Sequence, residues 1–131
     1  MLDDTITLAL PNGGSPVNEV AKRIDVLTNR SVYNLAGHSP SMRKTLGFYR
    51  TPAKRVGKFL GVMKSAVKVT LDNDVVNAEG SPLVSPMIAD IGFAVPIGST
   101  EAEVDGLLDR VEALVEGQRA ILKRTLFGPE I

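Results

Sequence analysis

The sequence contains no cysteine among its 131 residues, and this absence removes several kinds of chemistry at once. Without cysteine the chain cannot form a disulfide, hold a metal ion through thiolates or use a thiol as a nucleophile. It also has a single histidine, His38, in a predicted turn, so no second imidazole can share a metal ion with it. We therefore expect no catalytic residue, no metal site and no cofactor, and we expect that the protein is not an enzyme.

Long apolar runs are missing as well. The first residues, Met1-Leu2-Asp3-Asp4, are acidic where a secretion signal is basic, and the apolar segment after them lasts only a few residues. No segment approaches the roughly 20 apolar residues that a membrane-spanning helix needs. The length predicts one domain over residues 1–131 with a real core. We expect it to fold in the cytoplasm, with no membrane partner.

Acidic residues are absent from residue 30 to residue 71, although the net charge of the whole chain is zero. This stretch carries nine bases: Arg30, Arg43, Lys44, Arg50, Lys54, Arg55, Lys58, Lys64 and Lys68. Residues 72–117 show the reverse, with ten acids against Arg110 alone. Such segregation predicts a basic surface for a polyanion, and a chance distribution over solvated faces is the alternative.

Alternation of apolar and polar residues predicts strands over most of the chain. The strand Thr5–Leu10, the turn Pro11–Gly14 and a short strand at Val17–Val20 predict an N-terminal hairpin within residues 1–22. Further strands, at Ser31–Leu35, Met42–Arg50, Lys58–Leu71 and Met87–Ile97, place a larger sheet within residues 31–97. The first few residues of Lys58–Leu71 belong either to this strand or to the loop before it. Residues 21–30 stay ambiguous. Asp72–Ser85 is predicted to be a long connection because it contains Asp72-Asn73-Asp74 and Glu79-Gly80-Ser81-Pro82.

The period then changes to that of a helix, and two helices are predicted within residues 99–127. Thr100 and Glu103 have the spacing of a capping box. One apolar stripe follows, formed by Val104, Leu107, Leu108, Val111, Leu114 and Val115, and a second helix covers Gln118–Leu126. Strands first and helices last predict an α+β fold with an antiparallel sheet. Two short helices would leave much of a broad sheet exposed, so we expect a homodimer; a compact monomer with a smaller sheet is the alternative.

Basic residues follow the polar side of the two central strands. Arg43, Lys58, Lys64 and Lys68 fall opposite the apolar side, and Thr45 and Tyr49 share their side. Cations neutralise phosphates, hydroxyls donate hydrogen bonds and a ring stacks on an unpaired base, so this face suits RNA. A half-solvated sheet would also carry some polar residues on this side. In addition, Lys44 and Arg50 fall at positions that point to the apolar side of the same strand.

Taken together, these features resemble the coat proteins of single-stranded RNA bacteriophages, the leviviruses and their relatives. Three stretches carry the resemblance: Thr5–Leu10 with Asn12-Gly13-Gly14, Lys64–Leu71 with its alternating bases, and the strand end Ile91–Ile97 running through Pro96 into Gly98–Glu101. The resemblance implies an N-terminal β-hairpin, an antiparallel β-sheet and two C-terminal α-helices in an interlocked homodimer. It also implies a capsid protein whose dimers build an icosahedral shell, with the sheet facing single-stranded genomic RNA.

The family also implies that a dimer binds an RNA stem-loop and represses translation of the replicase. The matching positions are Arg43, Thr45, Lys64, Lys68 and Asp90, and the connection Asp72–Ser85 would make contacts around symmetry axes. Two departures concern the RNA contact: Gly47 stands where a side chain often reaches RNA, and the segment Thr51–Gly61 looks longer than usual. The expected location is the virion, assembled in the cytoplasm of a bacterial host.

A different class of function also fits the residues. A cellular dimeric α+β regulator that binds nucleic acid would show the same basic face and the same apolar stripe. The two hypotheses differ in particle size, because a coat protein expressed alone forms a nuclease-protecting particle and a regulator remains a dimer.

Overall fold

Six strands followed by two helices make up the structure, a computed structural model that describes residues 3–128. The strands are β1 (Thr5–Leu10), β2 (Val17–Leu27), β3 (Arg30–Asn34), β4 (Lys44–Thr51), β5 (Val62–Val76) and β6 (Pro82–Pro96). The helices are α1 (Glu101–Gly117) and α2 (Arg119–Phe127), and a short 3-10 turn covers Asn12–Gly14. The predicted α+β order, with all strands before both helices, is confirmed.

The strands form one antiparallel sheet in which the spatial order β1 to β6 is also the chain order. β1 and β6 are therefore its two edges. The pairing of β4 with β5 runs over eight residues and sets Leu46 opposite Val69 and Phe48 opposite Val67. Because directly opposed residues share a face, this register collects the apolar side chains on one side of the sheet.

The N-terminal hairpin forms as predicted, but its second strand is longer. The turn places Asn12 at φ 45 and Gly14 at φ 102, a backbone region that Asn and Gly tolerate. β2 then continues through a register shift between Arg23 and Asp25 and pairs with β3. Arg23 pairs with Asp4 of the neighbouring segment and Asp25 with Arg30 across the turn, so these polar residues are accommodated within paired strands. The predicted end of this strand at Val20 is wrong.

The prediction of a long connection over Asp72–Ser85 is also wrong. β5 continues to Val76 and β6 starts at Pro82, so the turn between them is short. The side-chain oxygen of Asn77 accepts the backbone N–H groups of Glu79 and Ser81 at 3.0 and 2.9 Å, which stabilises the turn. Proline is tolerated in β6 because an edge strand has backbone groups that need no sheet partner.

One cluster of side chains forms the core of the sheet. Its buried members are Ala21, Tyr33, Leu35 and Leu46, with Ile6, Leu8, Phe48, Val67, Val69 and Leu71 packed against them. Tyr33 and Phe48 meet edge to face, with ring centroids 5.8 Å apart and planes at 84°. The buried Tyr33 hydroxyl donates to the backbone carbonyl of Asp3 at 2.5 Å, so its polar end is satisfied.

The chain divides into two compact units, the first ending at Ala94 and the second beginning at Val95. In the second unit α1 begins with the predicted capping box. Thr100 Oγ1 accepts the Glu103 N–H at 3.3 Å, and the Glu103 carboxylate accepts the Thr100 N–H at 2.8 Å. Neither helix contains a fully buried residue, and most of the apolar stripe of α1 is exposed.

We predict that Leu46→Ala lowers the free energy of unfolding by about 2–5 kcal/mol, because it opens a cavity in the only fully packed cluster of the described sheet. Leu60→Ala is the matched control, since Leu60 is half exposed in the segment between β4 and β5. Denaturant unfolding at one protein concentration measures both. A Leu46→Ala protein as stable as the control would contradict this placement of the core.

Candidate nucleic-acid interface

The side of the sheet opposite the core cluster is called the polar face here. On β4 it carries Thr45, Gly47 and Tyr49, and on β5 it carries Lys64, Ala66, Lys68 and Thr70. The strand register sets Thr45 opposite Thr70, Gly47 opposite Lys68 and Tyr49 opposite Ala66. These residues therefore lie within one continuous patch, on the side that sequence parity predicts.

Three of the predicted RNA-binding residues form a contact group at the centre of the polar face. The Lys68 ammonium lies 5.8 Å from the centroid of the Tyr49 ring, within the range of a cation–π interaction. The same nitrogen lies 3.7 Å from an Asp90 carboxylate oxygen. Asp90 on β6 and Lys68 on β5 are equally distant from the Asn77–Ser81 turn, as partners across a hairpin are. The three residues come from three neighbouring strands.

Gly47 lies beneath this group and is buried. A Cβ atom at position 47 would lie 2.6–2.9 Å from the tip of the Tyr49 ring, so the ring occupies the space that a side chain at 47 would need. The glycine that departs from the coat-protein pattern is thus the position over which Tyr49 packs.

Lys64 and Thr45 lie on the polar face as predicted, whereas Lys58 lies in a turn outside the strands. Lys64 is exposed at the start of β5, opposite Thr51, and Thr45 is partly buried. Lys58 lies in a turn closed by an isolated bridge between Val56 and Phe59, before β5 begins. The chain turns there at Gly61, whose φ is 102 and where a Cβ would lie 2.5 Å from the Lys54 carbonyl oxygen. Of the two alternatives for the start of this stretch, the loop is therefore the correct one, and strand alternation does not place Lys58 on the polar face.

Arg43 has the predicted parity, but its charge is paired. It lies just before β4, and its guanidinium donates to Asp72 through Nε at 3.0 Å and Nη2 at 3.3 Å. The Arg43 backbone N–H donates to the same carboxylate at 2.9 Å. These donors lower the pKa of Asp72, and the side-chain hydrogen bond to Asp72 raises that of Arg43. The Asp72 side chain is 4% exposed, so Arg43 neutralises a carboxylate that is shielded from water.

Two further residues lie at this end of the sheet: Asn34, which the sequence did not single out, and His38, which it placed in a turn. Asn34 lies between Lys22 and Thr45 in the register, and its buried side-chain oxygen has no hydrogen-bond partner within residues 3–128. The row Lys22, Asn34 and Thr45 across β2, β3 and β4 could not be predicted, because the sequence leaves residues 21–30 ambiguous. The alternation of polar and apolar residues from Lys22 onward is the signal that would have indicated the longer β2. His38 accepts the Lys44 backbone N–H at 3.0 Å through Nδ1, so it stabilises the turn into β4.

Apolar side chains are exposed on both compact units. On α1, Leu107, Leu108, Leu114 and Val115 are 39–49% exposed, and Val104 and Val111 are partly buried. On β6, Leu83 and Met87 are each 52% exposed and Ile91 is 37% exposed. Each of these three residues is an odd number of positions from Asp90 along the strand. Their side chains therefore point to the opposite side of β6 from Asp90, away from the polar face. No helix among the described residues is long and apolar enough to cross a membrane.

Solved structures with the same fold come from bacteriophage particles. A virus-like particle of bacteriophage AVE019 aligns with a TM-score of 0.75 at 13% sequence identity, over 98% of this chain and 97% of that chain. A virus-like particle of Beihai levi-like virus 32 gives 0.72 at 15% identity, over 86% and 88%. The capsid protein of bacteriophage GA gives 0.62 at 16% identity, over 92% and 91%.

No protein-family model matches the sequence, and no curated protein matches it. The structural likeness concerns the fold, which is that of RNA bacteriophage coat proteins. The predicted resemblance is confirmed at this level.

The Arg43–Asp72 pair predicts a specific dependence of stability on pH. Because folding lowers the pKa of Asp72, the pair contributes stability above the unfolded-state pKa, and that contribution disappears as the pH falls through the folded-state value. We therefore expect Asp72→Asn to lower the denaturant midpoint at neutral pH, with the difference from wild type shrinking in acid. The control is Asp74→Asn, which changes an exposed carboxylate on the same strand. A difference that grows on acidification would contradict the assignment.

Proposed function

We propose that this protein is the coat protein of an RNA bacteriophage, a structural protein and not an enzyme. It dimerises, assembles into an icosahedral shell and packages single-stranded RNA, so its location is the virion. The observation that carries the proposal is the broad apolar surface that a single chain exposes on both β6 and α1. Its fold recurs in subunits of virus-like particles over nearly the whole chain, which supports the same role.

Two surfaces that a single chain leaves exposed support the proposed dimer. β6 is a 15-residue edge strand, and a long apolar edge is a template for pairing with another chain. Pairing of two β6 strands would join two sheets into one. The stripe of α1 would then pack on the apolar side of the partner's sheet, which buries both exposed surfaces.

The polar face is the RNA side of the proposed shell. It presents Lys64, Lys68, Thr45 and Tyr49. In the proposed dimer the two polar faces would form one continuous surface that carries two copies of each residue. A stem-loop with unpaired bases is the RNA that this surface suits, and its binding would repress translation. The contacts around symmetry axes that the resemblance implies would fall to the short turn Asn77–Ser81.

Particle size tests the proposal directly. The protein expressed alone should elute as a megadalton-scale species, appear as closed shells by electron microscopy and protect RNA from nuclease. A species that stays dimeric at every protein and salt concentration would contradict the coat-protein function and favour a cellular regulator.

Packing of the α1 stripe predicts the effect of one added charge. Leu108→Asp should abolish soluble dimers, because a carboxylate buried without a partner costs several kcal/mol. In a free chain Leu108 is 44% exposed, so the same change would cost little. Ala102→Asp adds an equal charge away from the stripe and should leave dimers intact. Size-exclusion chromatography with light scattering measures both, and native dimers of Leu108→Asp would show that the stripe is not an interface.

The polar face predicts a salt dependence of RNA binding. Each lysine that neutralises a phosphate of single-stranded RNA contributes about 0.7 to the slope of log K against log salt. Replacing Lys64 and Lys68 together by Ala should flatten that slope by about 0.7 to 1.4 per chain, because Asp90 already offsets part of the Lys68 charge, and particles should carry less RNA. Lys123→Ala with Arg124→Ala on α2 is the control. An equal loss from the α2 pair would place the RNA elsewhere.

A further inference from the structure

Tyr49 is the one aromatic side chain on the polar face of the described β4 and β5, and its surroundings hold the ring in a fixed place. Its tip covers Gly47, and the Lys68 ammonium lies over the ring at 5.8 Å from the centroid. The ring still leaves 37% of the residue exposed. We propose that Tyr49, packed over Gly47 and held by Lys68, is a stacking platform for an unpaired base of RNA; this inference rests on the proposed function.

The glycine makes the platform possible. Tyr49 and Gly47 are two residues apart on one strand, so both side chains point to the same face. Only the absence of a side chain at 47 lets the ring lie along the strand, because any Cβ there would come within 2.6 Å of a ring carbon. The aromatic surface is thereby held close to the sheet, where a base can contact it.

Lys68 is a positioning residue in this arrangement. Its ammonium is shared between the Tyr49 ring and the Asp90 carboxylate, which lies 3.7 Å away. Asp90 offsets part of its charge, so Lys68 attracts phosphate less than the exposed Lys64 does. Its cation instead restricts the ring to the position over Gly47.

An unpaired base is the ligand that this geometry fits. Bases inside a duplex are stacked on each other, so their faces are not available, whereas bases in a loop are free to stack on an aromatic ring. Stacking does not depend on salt as phosphate contacts do, and the two contributions are therefore separable by experiment.

The composition of the chain supplies a spectroscopic probe. It has no tryptophan and two tyrosines. Tyr33 is 0% exposed and its hydroxyl is bound to the Asp3 carbonyl, so a ligand on the polar face meets only Tyr49. Single-stranded oligoadenylate should quench the tyrosine emission of RNA-free dimers obtained by dissociating purified particles, because the polar face is accessible in them. An abasic oligomer with the same number of phosphates should bind about tenfold more weakly and leave the emission unchanged.

Variants at three positions complete the test, each compared with wild type for dimer formation and denaturant midpoint. Tyr49→Leu should lose about tenfold in affinity for oligoadenylate, with the salt slope unchanged and abasic binding unaffected. Tyr49→Phe should retain the affinity, and Gly47→Ala should lose it by displacing the ring. Lys68→Met should weaken base-dependent binding, and Lys68→Arg should restore it.

The two proposals fail in different ways. Equal binding of both oligomers by the wild-type protein, or an unchanged affinity in Tyr49→Leu, would overturn the stacking platform alone. Failure of the wild-type protein to bind either oligomer would overturn the proposed function and this inference with it.

Discussion

The register between β4 and β5 is the constraint on which both faces of the sheet depend. With Leu46 opposite Val69, the core side chains meet on one side, and with Gly47 opposite Lys68 the polar residues meet on the other. A slip of one residue would place the lysines in the core and the valines in water. The apolar pairs of this one hairpin therefore determine where the candidate RNA surface lies.

The other side of the sheet has a different role under the proposed function. Its central cluster is packed within one chain, but Leu83 and Met87 on the edge strand remain about half exposed. The free energy available from burying them can be released only in an assembly. A coat protein needs both a packed core and exposed apolar residues. The core makes the single chain stable enough to fold, and the exposed residues drive its association with other subunits.

The fold was largely predictable because its strongest signals are local. Alternation over Lys64–Leu71 and the Thr100–Glu103 capping box each lie within a few residues of sequence, and both features form as expected. The β5–β6 hairpin was missed because Asp72 looks like a turn residue until its partner is known. That partner, Arg43, is 29 residues away, and no local pattern links the two. The sequence left Lys58 open between strand and loop, since alternation does not reveal the close approach of Gly61 to Lys54 at which the chain turns. The shared face of Thr45, Tyr49, Lys64 and Lys68 on β4 and β5 was predictable, and the contact of Tyr49 with Gly47 was not.

The spatial order of the strands also bears on the timing of synthesis. Each strand pairs with the strand made just before it, so the sheet can grow one hairpin at a time as the chain leaves the ribosome. The long apolar edge of β6 emerges only after the five strands that precede it, and the stripe of α1 follows directly. Both exposed apolar surfaces thus appear when the rest of the sheet is already formed, which shortens the period in which an unfinished chain could associate with the wrong neighbour.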